Sequence, residues 1–196
     1  MELVIVDTGC ANIASVRFAI ERLGSPVRVS DDPEVIKNAD KVILPGVGSA
    51  PAAMQKIEAK GLIPLVRTLT QPTLGICLGM QLMTRQSEEG HVACLGMIAS
   101  EVKRMQVGSL RLPHMGWNTI TPNPNSPLFD GIAEGSYFYF VHSFAVSVGD
   151  YTLATCEYGM PFSASIGQDN FMGVQFHPER SGEAGSRLLS NFISRC

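Results

Sequence analysis

Midway along the chain, Gln71-Pro72-Thr73-Leu74-Gly75-Ile76-Cys77-Leu78-Gly79-Met80-Gln81 sets one cysteine between two glycines, where an apolar run changes into a helix-forming one. Leu74 and Ile76 read as the end of a buried strand, and Leu78, Met80, Gln81, Leu82 and Met83 as the start of a helix. A strand that turns this sharply into a helix strains the backbone of its central residue. Side chains two positions to either side would collide, so the turn requires Gly75 and Gly79. Cys77 then stands at the positive end of the helix, where a thiolate is stabilised. The N–H of Leu78 would face the oxyanion formed when the sulfur attacks a carbonyl. A cysteine in an apolar stretch is ordinarily a small core residue; the paired glycines argue against that here, provided a base comes from elsewhere in the chain.

Such a base stands near the C-terminus. Phe171-Met172-Gly173-Val174-Gln175-Phe176 reads as a last strand that runs into His177-Pro178-Glu179, with Pro178 ending the strand and keeping His177 extended. The imidazole accepts the thiol proton and passes it to a leaving amine, and the Glu179 carboxylate fixes the ring's tautomer. His91 follows Glu88-Glu89-Gly90 and reads as solvated, whereas His114 and His142 lie in apolar or aromatic surroundings that suit hydrogen-bonded structural histidines. No pair of histidines has the spacing of metal ligands, so no metal and no cofactor is expected.

The strand before the elbow belongs to an alternating series: a strand at Leu3–Val6, a helix at Ile13–Leu23 with Ile13, Val16, Ile20 and Leu23 on one face, a strand at Val27–Val29, a short helix at Pro33–Lys37 and a strand at Val42–Leu44. This alternation predicts an α/β fold with an open, mainly parallel sheet flanked by helices. Downstream the pattern turns to strands at Met97–Arg104, Gly116–Ile120, Phe138–His142, Leu153–Cys156, Phe162–Ile166 and Met172–Phe176, an antiparallel strand extension. Gly182–Ile193 reads as the closing helix, with Leu188, Leu189, Phe192 and Ile193 facing inward. With 196 residues, 45% hydrophobic, and no linker or repeat, residues 1–196 read as a single domain.

Lys+Arg 15 against Asp+Glu 18, with no basic run, makes nucleic acid a poor partner, and no stretch is long enough to cross a bilayer. The early Met1-Glu2-Leu3-Val4 strand is not a basic leader, and five scattered cysteines suit a reducing compartment, so a cytoplasmic protein is expected. Cys10, Cys94, Cys156 and Cys196 lack the elbow's context and read as packing or surface residues.

Pro45-Gly46-Val47-Gly48-Ser49 follows the Val42–Leu44 strand, at the carboxyl edge where ligands bind in open α/β sheets. Read functionally, Gly46 lets its peptide reorient so that Val47 N–H becomes a second oxyanion donor beside that of Leu78.

The strings Pro45-Gly46-Val47-Gly48, Gly75-Ile76-Cys77-Leu78-Gly79-Met80-Gln81 and Phe176-His177-Pro178-Glu179 resemble the class I (triad) glutamine amidotransferases over nearly the whole chain, which implies their flavodoxin-like fold. Asp7-Thr8-Gly9-Cys10-Ala11-Asn12-Ile13 and Pro113-His114-Met115-Gly116-Trp117-Asn118 look like the glutaminase subunits of imidazole glycerol phosphate synthases, a group from histidine biosynthesis. The resemblance implies a Cys77-His177-Glu179 triad that hydrolyses glutamine through a thioester. Gln81 and the Val141-His142-Ser143 segment would contact the amino acid part of glutamine. It also implies a heterodimer with a (β/α)8 cyclase, which would use the ammonia to convert PRFAR to imidazole glycerol phosphate and AICAR. Trp117, with Asn12, Asn118, Tyr137 and Arg180, is expected to line the docking face. Arg180 stands where the family carries lysine, and Thr8 and Ala11 replace its usual tyrosine and glycine. Two rivals are the glutaminase subunit of the pyridoxal phosphate, anthranilate or guanylate systems, from which the Pro113–Asn118 string separates it, and a scaffolding domain, which would usually lack one triad member.

Overall fold

A computed structural model describes residues 1–9 and 12–196; the expectations for Cys10 and Ala11 lie outside the described residues. The first half alternates strands with helices: β1 (Leu3–Val6), α1 (Ile13–Arg22), β2 (Val27–Ser30), α2 (Pro33–Lys37), β3 (Lys41–Gly46), α3 (Ala50–Ala59), α4 (Ile63–Arg67), β4 (Thr73–Cys77) and α5 (Leu78–Leu82). Local chemistry sets several of these ends. Asp32 caps α2 by accepting from Glu34 N–H at 2.9 Å, with Pro33 in the first turn where its missing N–H does no harm. The second half holds β5 (Gln86–Ser87), β6 (Val92–Ala93), β7 (Glu101–Arg104), β8 (His114–Pro122), β9 (Tyr137–His142), β10 (Phe144–Val146), β11 (Thr152–Glu157), β12 (Pro161–Gln168), β13 (Phe171–Val174) and the closing α6 (Gly182–Arg195).

Nine strands form one sheet in the order β2-β1-β3-β4-β13-β12-β11-β8-β9. From β2 to β13 neighbours run parallel, and from β13 to β9 they run antiparallel, so the anticipated extension shares a sheet with the parallel half. Strands β10-β7-β5-β6 form a second sheet, whose Val102 and Val146 join the core beneath the first.

The central strands β1, β3 and β4 are largely apolar on both faces because both are covered, whereas the edge strand β2 is not. Leu3, Ile5, Ile43, Leu74 and Ile76 pack in one core with Val16 and Ile20 of α1 and Leu188, Leu189 and Phe192 of α6. Alternate residues Val4, Val6, Val42 and Leu44 pack in the other with Ala53, Met54 and Ile57 of α3 and Val66 of α4. The period of two along each strand therefore divides the side chains between two layers of helices.

Several elements differ from the sequence reading. The strand expected from Met97 begins at Glu101, because Met97–Ser100 bends: Ile98 N–H bonds to Met83 O at 2.9 Å and Ser100 N–H turns back to Ile98 O at 2.8 Å. Helices α3 and α4 were not anticipated, each opening with a proline in its first turn. The closing helix continues past Ile193 to Arg195, and Ile193 is only partly buried.

Candidate active site

The elbow is strained as its glycines predict. Cys77 ends β4 with φ 54° and ψ −111°, a conformation L residues rarely adopt, and α5 begins at Leu78. Three glycines make room for it. A Cβ on Gly75 would meet Met80 N at 2.7 Å, one on Gly46 would meet Gly79 N at 2.7 Å, and one on Gly79 would overlap the Leu44 carbonyl oxygen. Glycine at 46 is therefore required sterically, in addition to any freedom its peptide gives the loop. In that loop the left-handed backbone falls on Gly48, at φ 97°.

The β3–β4 register pairs Gly46 with Cys77, so Val47 and Gly48 emerge beside the elbow. Leu78 opens a helix, and a first-turn N–H has no helical carbonyl to bond. Val47, Gly48, Cys77, Leu78, Gln81, Val141, His142, Ser143 and His177 line one cavity of about 440 Å³. Sequence reasoning missed Glu89, Arg104, Pro113 and Phe144 on its wall. Arg104 and Phe144 are brought together by the β7–β10 ladder of the smaller sheet, which pairs them directly, and no local motif announces that pairing.

The parallel β4–β13 ladder joins the two ends of the site. It pairs Val174 with Ile76, so Gln175 lies beside Cys77 and His177 follows two residues later. The backbone of His177 is held on both sides: its N–H bonds to Tyr139 O at 2.9 Å and its carbonyl accepts from Ser181 Oγ at 2.6 Å. Its Nδ1 lies 2.7 Å from Glu179 Oε1, so the proton there faces the carboxylate and Nε2 is left for the thiol. Asn12, placed on the docking face by resemblance, spends its side chain on the same oxygen, donating Nδ2–H to Glu179 Oε1 at 2.8 Å.

Burial disfavours charge on His177, but the Cys77 sulfur and the Glu179 carboxylate outweigh it and raise the ring to about 10. The other contacts of the sulfur are long. The thiol approaches Val141 O at 4.0 Å, and Gln175 Nε2 approaches Sγ at 3.8 Å. Catalytic hydrogen bonds are commonly long before substrate arrives. The other described thiols are poor nucleophiles: burial pushes Cys94 up to about 11 and Cys156 to about 12, and raises Cys196.

His114 and His142 are directly opposite in the β8–β9 ladder, and their rings share a hydrogen bond of 2.8 Å. The Phe144 carbonyl, 2.9 Å from His142 Nδ1, can only accept, which fixes the tautomers of both rings. His142 donates from Nδ1 and accepts at Nε2, His114 donates from Nδ1, and Asn118 Nδ2 donates to His114 Nε2 at 3.2 Å. Burial lowers His114 to about 4 and His142 to about 3. A proton on His142 Nε2 would face the His114 N–H, so both rings stay neutral.

The stability consequence has a definite sign. Both folded values lie below the unfolded value of 6.5, so this contribution is complete above pH 6.5 and is lost as pH falls towards 4 and then 3. At pH 5 the loss is about 2 kcal/mol for the buried His142, and the loss at His114 does not simply add to it because the two titrate as a pair. Carbon-13 NMR of the ring Cε1 atoms should show both histidines neutral at pH 5; midpoints near 6.5 would refute the assignment.

Alternation along β8 and β9 separates residues that the resemblance placed together. Met115 and Trp117 share a face with Tyr137 and are 62%, 55% and 59% exposed. Asn118 is on the opposite face, half-buried, holding His114 and donating to Glu157 O at 2.9 Å. Arg180 is exposed, one residue beyond Glu179.

Comparison with known proteins adds to this geometry. The family described as glutamine amidotransferase class-I matches residues 4–196. The chain is similar to "Imidazole glycerol phosphate synthase subunit HisH 1" of Vibrio vulnificus, at 56% identity covering 98% of this chain and 97% of the relative. It is also similar to the HisH subunit of Vibrio cholerae, at 57% identity covering 97% of each. Among solved structures, a glutamine amidotransferase matches with TM-score 0.75 at 18% identity, covering 97% of this chain and 96% of that one. The PurLQS structure from Thermotoga maritima matches with TM-score 0.69 at 18% identity, covering 98% and 97%. At those identities the two structures speak for the fold alone.

Proposed function

The chain belongs to the class-I glutamine amidotransferases, and from that membership we propose that it is the glutaminase subunit of an imidazole glycerol phosphate synthase, working through a Cys77-His177-Glu179 triad. The observation that carries the reading is the strained cysteine at the mouth of a cavity it shares with a carboxylate-held histidine from the far end of the chain. Relatives above 55% identity over nearly their full length, named as subunits of that synthase, support the choice of reaction.

Cys77 attacks the side-chain carbonyl of glutamine. The N–H of Leu78 holds the tetrahedral oxyanion, joined by that of Val47 once the Pro45–Gly48 loop reorients. His177, which takes the thiol proton and favours carrying it, gives it to the departing ammonia. Water then hydrolyses the thioester, releasing glutamate and regenerating the thiol. Besides His142 and His177, the cavity wall carries Glu89 and Arg104, the charges that an amino acid's ammonium and carboxylate need. Glu89 is partly engaged, its Oε2 accepting from Ala50 N–H at 2.9 Å. Gln81 spends its Nε2 on Phe144 O and Gln175, leaving Oε1 for substrate.

The exposed Met115, Trp117 and Tyr137 form the face on which a (β/α)8 cyclase docks, with Arg180 at its margin. Such apolar and aromatic groups are characteristic of interface cores. Val141 shares this strand face and also lines the cavity, so ammonia released at Cys77 leaves towards the partner, where PRFAR becomes imidazole glycerol phosphate and AICAR. The reaction belongs to the cytoplasm.

Mixing the chain with its cyclase, glutamine and PRFAR should yield glutamate and imidazole glycerol phosphate together. Because one oxyanion donor is worth about 3 kcal/mol, glutamate release should rise at least ~100-fold when the cyclase is liganded. Equal rates with and without the liganded partner would refute the loop's part, and absence of imidazole glycerol phosphate would refute the assignment.

A further inference from the structure

Gln175 is fully buried, one residue beyond the last paired position of β13 and beside the elbow. Buried carboxamides are hydrogen-bonded, and the partners of this one fix which way it points. Phe144 O can only accept, so the Gln81 group 3.0 Å from it is Nε2. The second hydrogen of that NH2 group goes to Gln175 at 2.9 Å, so Gln175 must present Oε1 there. Its Nε2 is thereby turned to Cys77 Sγ, 3.8 Å away. The sulfur has opposed neighbours. The Val141 carbonyl, at 4.0 Å, accepts an S–H and favours the neutral thiol. An N–H donor favours the anion.

We propose that Gln175 is a further catalytic residue of this site, a buried donor locked by Gln81 that stabilises the Cys77 sulfur as an anion. The donor acts twice. It favours the thiolate that attacks the amide, and it favours the same thiolate when the second tetrahedral intermediate expels it to release the carboxylic acid. The inference rests on the reading of Cys77 as the nucleophile. It assigns Gln81 a positioning task in addition to its place on the cavity wall.

The test uses the full chain, with iodoacetamide as the probe and peptide mass mapping to follow Cys77 alone across pH. In Gln175→Met, and in Gln175→Glu, which keeps the acceptor for Gln81, Cys77 alkylation at pH 7 should fall about tenfold or more. The midpoint of the pH profile should move to higher pH by a comparable factor. A merely structural role would lower the melting temperature and leave that midpoint in place, and an unmoved midpoint in either folded variant overturns the proposal. If both variants fail to fold, nitrogen-15 NMR of the wild-type side-chain amides decides. The Gln175 NH2 signals should titrate with the Cys77 midpoint and lose that response in Cys77→Ala, and signals blind to pH overturn the proposal. A wild-type Cys77 that resists both iodoacetamide and a diazo ketone analogue of glutamine would strike the glutaminase reading itself. Normal wild-type labelling with unmoved variants strikes only Gln175.

Discussion

Replacing Cys77 with alanine should lower glutamine-driven synthesis by roughly ten-thousand-fold or more, as removal of the nucleophile does in hydrolases whose catalytic groups act as a unit. The fold has little stake in the sulfur. Beyond His177 the thiol makes only long contacts, at 3.8 Å and 4.0 Å, and alanine at φ 54° is strained no more than cysteine is. The variant should therefore assemble with the cyclase as the wild type does. Synthesis driven by ammonium salts should persist undiminished, because that chemistry belongs to the partner. Parallel assays with glutamine and with ammonium test this directly. Glutamine turnover above a tenth of wild type would remove Cys77 from the mechanism, and loss of the ammonium reaction would show that the substitution had damaged the complex.

Gly79→Ala should be strongly destabilising. Its Cβ would overlap the Leu44 carbonyl, a backbone atom of a central strand that cannot swing aside as a side chain can. Either β3 or the elbow must shift, which costs about 3 kcal/mol or more, at or above the upper end of ordinary overpacking. For a chain of this length that lowers the melting temperature by roughly 6–12 °C. Gly24→Ala is the control: its φ is 79° but nothing lies within 4 Å of a Cβ there, so only the backbone preference of about 1 kcal/mol is lost. Thermal unfolding of both proteins checks the contrast, and equal losses would mean that the close approach at the elbow is not the cause. Where Gly79→Ala folds, a displacement of Cys77 by about 1 Å should still lower glutaminase activity ~100-fold.

What was legible in the chain was local. The elbow could be read because its demand for small residues falls within five consecutive positions, and the strained φ at Cys77 agrees with it. The parallel half of the sheet could be read because short apolar strands alternate with helical patterns, and the Ile13 helix because its apolar residues recur on one face. The early start of the strand expected from Met97 failed for a reason that no window of residues contains. The bend there is made by Ile98 bonding to Met83, fifteen positions earlier.

Non-local register hid the rest. The task of Gly46 is set by the approach of Gly79, thirty-three residues away in sequence, and cannot be told from a flexible turn without the β3–β4 pairing. Trp117 and Asn118 look like one patch in a string, yet a strand sends neighbours to opposite faces. The neutral His114–His142 pair exists only because β8 and β9 set those two residues opposite one another.

The amino-acid order alone determined the class of chemistry: a thiol on a glycine-flanked turn, a histidine with its carboxylate two positions on, and a parallel sheet to mount them. The tertiary structure decided which side chains surround the sulfur. Gln175 stands in an ordinary strand-end run, and its donor reaches Cys77 only through the β4–β13 ladder and a glutamine from α5. Short-range sterics leave a mark on neighbouring residues, whereas hydrogen bonds between distant strands depend on register, which only the assembled sheet sets.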